Sequence, residues 1–338
     1  MKIALTHTRS PSGTELNGYV RELGGRLSDA GHDVHVFCRS DTRTKHDPRL
    51  TLHRIPGRLG RLGASDETWL SRKISGAGYD VVHSFEGSSS QDVHTVAGRV
   101  ESQHALTDVD FTTLMPVVDT ERFKPGNSET HRDPWRERVV ISRGAFVVLC
   151  DGDGFAQLGA EALLEAARLV EERGGLPGGR RLRVAFIGYE TQQVEQELST
   201  LAKDKGVWDT VKFYGSQASP EHWHAMADLF VQPEADVPVG DGALRAMATG
   251  LPVLLAADSA VAGVIRSGEN GVLLDKGLGA SLASAVADRI VEFAKDSELG
   301  TRIGAAARET AEQQSWKRHV ERLTALYEKV AILRQAAG

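Results

Sequence analysis

The chain has 338 residues, 41% of them hydrophobic and 25% charged, with a formal net charge of −6. That is length enough for two domains, and an acidic balance without a long basic block argues against a nucleic-acid or anionic-membrane binder. Cys38 and Cys150 each close an apolar run, the pattern of buried thiols in a cytosolic protein rather than of a disulfide frame.

Lys2 to Thr6 reads as a short apolar strand, and a Gly/Ser loop leads on to Gly13 and Thr14. Leu16, Val20, Leu23 and Leu27 then recur on one face of a predicted helix from Glu15 to Ala30. Gly31 ends it, and Val34 to Cys38 is the next strand, so the chain opens as a βαβ unit of a doubly wound sheet. A strand over 50–55, a helix over 66–77 and a strand over 79–86 follow. Residues 93–113 leave room for one helix and one strand, which predicts a short first sheet whose edge is exposed unless a partner or loop covers it.

Residues 127–138 are polar and read as a connector. Phe146 to Cys150 is a buried strand, and a turn over 151–159 leads into a helix over 160–173. Strands over 183–188, 211–215 and 228–233 alternate with helices over 192–205 and 220–226. A small-residue helix over 242–248 is capped by Gly250, and Pro252 starts the apolar strand 253–256. Its amino end points N–H groups at the crevice above a parallel sheet. A last strand over 270–274, helices over 278–295 and 298–313, and a final helix from Ser315 to about Gln335 complete the order.

The run Val237 to Val253 resembles the donor-sugar signature of GT-B glycosyltransferases of the family-4 retaining type. Pro238, Gly240, Leu244, Ala246-Met247-Ala248, Gly250 and Pro252-Val253 keep its frame, while Val237 and Arg245 stand where relatives carry acidic residues. Leu114 to Pro125 resembles the linker between the two domains of that family. Tyr79 to Glu86 with Gln91-Asp92-Val93 is similar to its lipopolysaccharide-core branch, which makes His83 and Glu86 candidates for catalytic, acceptor-side roles. A hydrogen-bonded structural histidine is the plainer reading of His83.

The resemblance implies an α/β GT-B fold of two Rossmann-like parallel-sheet domains facing a cleft, the first one shortened. Domains are expected at 1–125 (acceptor type) and 126–314 (nucleotide-sugar type), with the helix 315–338 crossing back to the first. Donor-binding positions carried over are Gly13, Gly152, Asp153, Leu158, Gly188, Val237, Gly240, Asp241, Gly242 and Arg245. At the 151–159 turn relatives hold the donor diphosphate with Arg and Lys; Asp153 and Leu158 stand there, and 144–167 contains neither Lys nor Arg. Each charge-assisted hydrogen bond contributes roughly 1.5–3 kcal/mol, so losing both cations forfeits roughly 3–6 kcal/mol, two to four decades in affinity or rate. Asp151, Asp153 and Asp241 would repel a diphosphate further, and Arg245 reads either as a replacement cation that swings toward the phosphates or as an exposed helix-edge arginine.

Two functions of different class follow. One is nucleotide-sugar-dependent glycosyl transfer onto a cell-envelope glycan or glycolipid, with an eroded donor site. The other is a non-catalytic pseudo-glycosyltransferase that partners an active one. A dinucleotide-binding protein is a distant third, since the glycines at 152, 154 and 159 misplace the third position of that loop. Asp151-Gly152-Asp153 reads as a solvated turn rather than a metal motif, and His222 and His224 lack a ligand set for zinc. No resident cofactor is expected beyond a UDP-sugar-type donor. The expected partners are that donor, a glycan acceptor and a second glycosyltransferase, with no nucleic acid. No signal peptide is expected ahead of the first strand, and no apolar run reaches the roughly 18 residues needed to cross a bilayer. The expected location is cytoplasmic, including the inner face of the membrane.

Overall fold

The computed structural model describes residues 1–7, 14–38, 47–55, 64–85, 91–96, 99–102, 117–152, 159–188, 190–234, 241–275 and 277–337. The chain forms two compact units: Met1–Met115 with Lys317–Gly338, and Pro116–Trp316.

Unit 1 contains β1 (Lys2–His7), α1 (Thr14–Asp29), β2 (Asp33–Cys38), β3 (Thr51–Arg54), α2 (Ala64–Ile74), β4 (Val81–Ser84), β5 (Val93–Val96) and β6 (Arg99–Ser102). They make a six-stranded sheet in the order β3-β2-β1-β4-β5-β6. All pairings are parallel except the last, where β6 folds back antiparallel on β5. Where the sequence suggests one helix and one strand, the described part of 93–113 is thus a hairpin. Its second strand forms the sheet edge, and neither four-residue strand is long enough to show a period.

In unit 2, α3 (Gly126–Arg138) precedes β7 (Phe146–Asp151), α4 (Ala160–Glu172), β8 (Leu182–Ile187), α5 (Gln192–Asp204) and β9 (Val211–Phe213). Then come α6 (Pro220–Met226), β10 (Leu229–Gln232), α7 (Asp241–Thr249), β11 (Val253–Ala256), β12 (Val272–Leu274), α8 (Leu282–Lys295) and α9 (Ser297–Gln313). Its sheet runs β12-β11-β10-β7-β8-β9, parallel throughout. Helices cover both faces, so its strands are apolar on both sides. Val148 and Cys150 of β7 face the layer of α4 and α8, while Val147 and Leu149 face that of α6, α7 and α9. Burial pushes the Cys150 thiol well above its ordinary range, as expected of an inert core thiol. The last helix, α10 (Trp316–Ala337), clusters from Lys317 onward with unit 1.

The polar segment read as a connector is the helix α3, and its reason is tertiary. Arg136 is fully buried. Its guanidinium donates to the carbonyls of Met226, Arg143 and Ala145 and to Asp228 at 2.7–3.0 Å, clamping α3 to α6 and β7. At the end of α3, Val140 has φ 59° and its side chain is 89% exposed. A left-handed cap of this kind is normally made by glycine.

Candidate functional site

In an open parallel α/β sheet, ligands bind beyond the carboxyl ends of the strands. In unit 2 three backbone segments converge there. Gly188 follows β8 with φ 128°, and a Cβ on it would collide with the carbonyl group of Gly152, which follows β7. Gly242, in the first turn of α7, seats so closely on the carbonyl oxygen of Asp151 that it too has no room for a Cβ. The amino end of α7 is therefore pinned against the end of β7. At the other end of α7, Gly250 takes the left-handed conformation (φ 80°) that stops the helix before β11.

This packing sets the side chains. Asp151 is the last residue of β7, paired in register with Ile187, and its side chain is only 5% exposed. Arg245 Nη1 donates to Asp151 Oδ2 at 3.2 Å, with the arginine side chain 30% exposed. His224 of α6 is fully buried, with Nε2 3.1 Å from the same oxygen but without hydrogen-bond geometry. Phe123 lies under both, 5.7 Å from the Arg245 guanidinium and 5.4 Å from the His224 ring. Burial, and then the Arg245 charge, pull His224 down to about 3, so near neutral pH it is an uncharged imidazole. Of these two neighbours, only Arg245 brings positive charge to Asp151.

Two expectations are corrected here. Asp151 is not part of a solvated turn, because the strand runs one residue further than its apolar residues indicate. Arg245 is neither a loose helix-edge arginine nor poised toward an open site; Asp151 holds it. Among the positions carried over, Gly152, Gly188, Gly242 and Arg245 meet at this edge. Asp241 opens α7, and its side chain is outside the described residues. Gly13, Glu86, Asp153, Leu158, Val237 and Gly240 lie outside the described residues altogether. The sequence reading missed Phe123 and His224 as neighbours of this pair. The signal within reach was charge complementarity, an acid closing one apolar strand and an Arg in the small-residue helix.

His83 sits inside unit 1, fully buried on β4, with Nδ1 2.6 Å from the Tyr327 hydroxyl and its ring 4.3 Å from that of Phe85. A second buried pair joins Tyr19 of α1 to His319 of the same helix α10 at 2.6 Å, and Arg334 of α10 donates to Asp92 at 2.8 Å. Among the described residues no group of three His, Cys, Asp or Glu is placed to hold a metal ion, and no helix is long and apolar enough to cross a membrane.

Residues 131–310 match the family model described as "Glycosyl transferases group 1". A D-inositol 3-phosphate glycosyltransferase of Catenulispora acidiphila is 32% identical over 220 residues, 64% of this chain and 50% of the relative. The chain spans about half the length of the first curated relatives it matches. Among solved structures, WaaG, a glycosyltransferase involved in lipopolysaccharide biosynthesis, aligns over 98% of this chain and 99% of its own at 18% identity, with a TM-score of 0.68. Anabaena HepE in complex with UDP aligns over 97% and 100% at 15% identity, with a TM-score of 0.72. At these identities the likeness is one of fold.

Proposed function

The chain belongs to the glycosyl transferases group 1 family and has the GT-B fold of two parallel-sheet α/β units, and from that premise we propose that its donor site is eroded, leaving little or no glycosyl transfer. The ancestral reaction in this reading is family-4-like retaining transfer from a nucleotide sugar onto a cell-envelope glycan or glycolipid. The names of the relatives support the class: inositol phosphate and lipopolysaccharide glycosyltransferases, and one neighbour bound to UDP. The acceptor side belongs to the first domain, with the protein working in the cytoplasm at the inner face of the membrane.

One observation carries the proposal. Departure of a nucleoside diphosphate builds negative charge that pre-organised cations must meet. At the carboxyl edge of unit 2 the described cation, Arg245, is already engaged by the buried Asp151. The pair is close to neutral, whereas a diphosphate needs a net positive cradle. The same observation favours a second role, that of a folded partner for an active glycosyltransferase.

Calorimetric titration of the full chain with UDP and GDP tests the reading. Dissociation constants in the millimolar range or weaker are expected, with no sugar released from UDP-glucose above background. A micromolar constant for either nucleotide, which at a hundredfold excess would raise stability by about 2.7 kcal/mol, refutes it.

A further inference from the structure

We infer that Asp151 decides what this edge will bind: its buried carboxylate occupies Arg245 as an internal anion and so disfavours nucleoside diphosphates, an exclusion that changing this one residue should lift. The inference rests on the reading of the edge as a former donor site.

Three features support it. Asp151 cannot move away, since its backbone is locked between β8 and Gly242 and its side chain is enclosed. Arg245 comes to it from the middle of α7, three residues after the glycine that seats this helix on the Asp151 carbonyl. Asp151 supplies the compensating negative charge, and Phe123 supports the guanidinium from below. His224 offers Asp151 an uncharged ring, so it does not release Arg245 from the pair. A phosphate approaching Arg245 must therefore displace a carboxylate that is already desolvated and tethered, and is repelled by it meanwhile. Charged pairs of this kind act as a unit, so removing the anion takes away the buried contact that neutralises the cation.

The test is UDP titration of the full chain and three variants: Asp151→Asn, Arg245→Ala and the double variant. Asparagine keeps the size of Asp151 and a polar contact toward His224 while removing the charge. Asp151→Asn is expected to bind UDP at least about tenfold more tightly than the unaltered chain, about 1.4 kcal/mol. The double variant should lose that gain. If Asp151→Asn does not fold, judged by its thermal melt, Asp151→Ser takes its place in the same comparison. UDP affinity unchanged or weakened on removing the carboxylate overturns the inference. So does a gain that survives Arg245→Ala, which would mean relief of repulsion and no released cation. Tight UDP binding by the unaltered chain would refute the eroded-site reading on its own, whatever the variants do.

Discussion

Gly242→Ala separates a local from a tertiary reading of α7. On helix propensity alone alanine is favoured over glycine by roughly 0.8–1 kcal/mol, so the substitution should stabilise. The structure reverses the sign. A Cβ at Gly242 falls under 3.0 Å from the Asp151 carbonyl oxygen, 3.0 Å from its carbon and 3.2 Å from the Phe230 ring. The first two neighbours are strand backbone and have no rotamer to change. Relief requires α7 to lift from β7, opening gaps beside Ala243, Leu244, Ala246, Met247 and Ala248, all fully buried. Overpacking of this kind typically costs about 1–3 kcal/mol and can cost more against backbone. The net expectation is a loss of at least about 1 kcal/mol, or roughly 2–4 °C in melting temperature per kcal/mol for a unit of this size. Urea unfolding followed by tryptophan fluorescence reads it, since Trp135, Trp208 and Trp223 all lie in unit 2. Gly18→Ala in α1 is the control: among the described residues nothing lies within 4 Å of its Cβ position, so it should be stabilised by its propensity gain. A Gly242→Ala protein as stable as the unaltered chain would refute the seating of α7 on β7.

Val140→Gly should stabilise unit 2. A side chain held in the left-handed region costs roughly 1–2 kcal/mol, the exposed Val140 has little packing to lose, and the extra freedom of glycine in the unfolded chain takes back about 0.4–1 kcal/mol. A gain of about 0.5–1 kcal/mol in denaturant unfolding is expected, and a loss contradicts the strained cap. His224 gives the acid limb of stability a recognisable slope. Its folded value of about 3 lies below its ordinary 6.5, so the unfolded chain binds a proton that the folded chain refuses as the pH falls between them. Stability from this residue is complete above pH 6.5 and declines below it by up to about 1.4 kcal/mol per pH unit. His224→Asn should flatten the profile between pH 6.5 and 5 relative to the unaltered chain, and parallel profiles would contradict a buried neutral His224.

The regular parts of the fold are legible because they are set locally. The βαβ opening shows in the stripe of Val20, Leu23 and Leu27, and α7 and β11 show in the Gly250 and Pro252 punctuation. What sequence hides is set by partners far along the chain. α3 has almost no apolar stripe and carries Pro134, both arguments against a helix, and it is fixed by Arg136 reaching carbonyls at Met226 and Ala145. Asp151 was misread for a similar reason. Asp-Gly-Asp-Gly has the composition of a turn, but the residue is drawn into the strand by its pairing opposite Ile187 and by a charge partner 94 positions away. The frame of the site was readable, and the pairing that neutralises it was not.

That pairing also bears on how the substituted positions relate. A buried Asp151 without a cation would be an uncompensated charge, a fault of about 3–5 kcal/mol. Arg245 alone would leave a cation whose side chain is only 30% exposed without this carboxylate. Each residue makes the other tolerable, so the acid in β7 and the arginine in α7 are best understood as one feature. Reinstating a carboxylate at 245, where the resembling signature has one, would set it against Asp151 in an enclosed space, and the repulsion would fall on the contact that seats α7. Recovery of an anion-binding edge therefore has to begin at Asp151, the residue that the frame of the signature does not include.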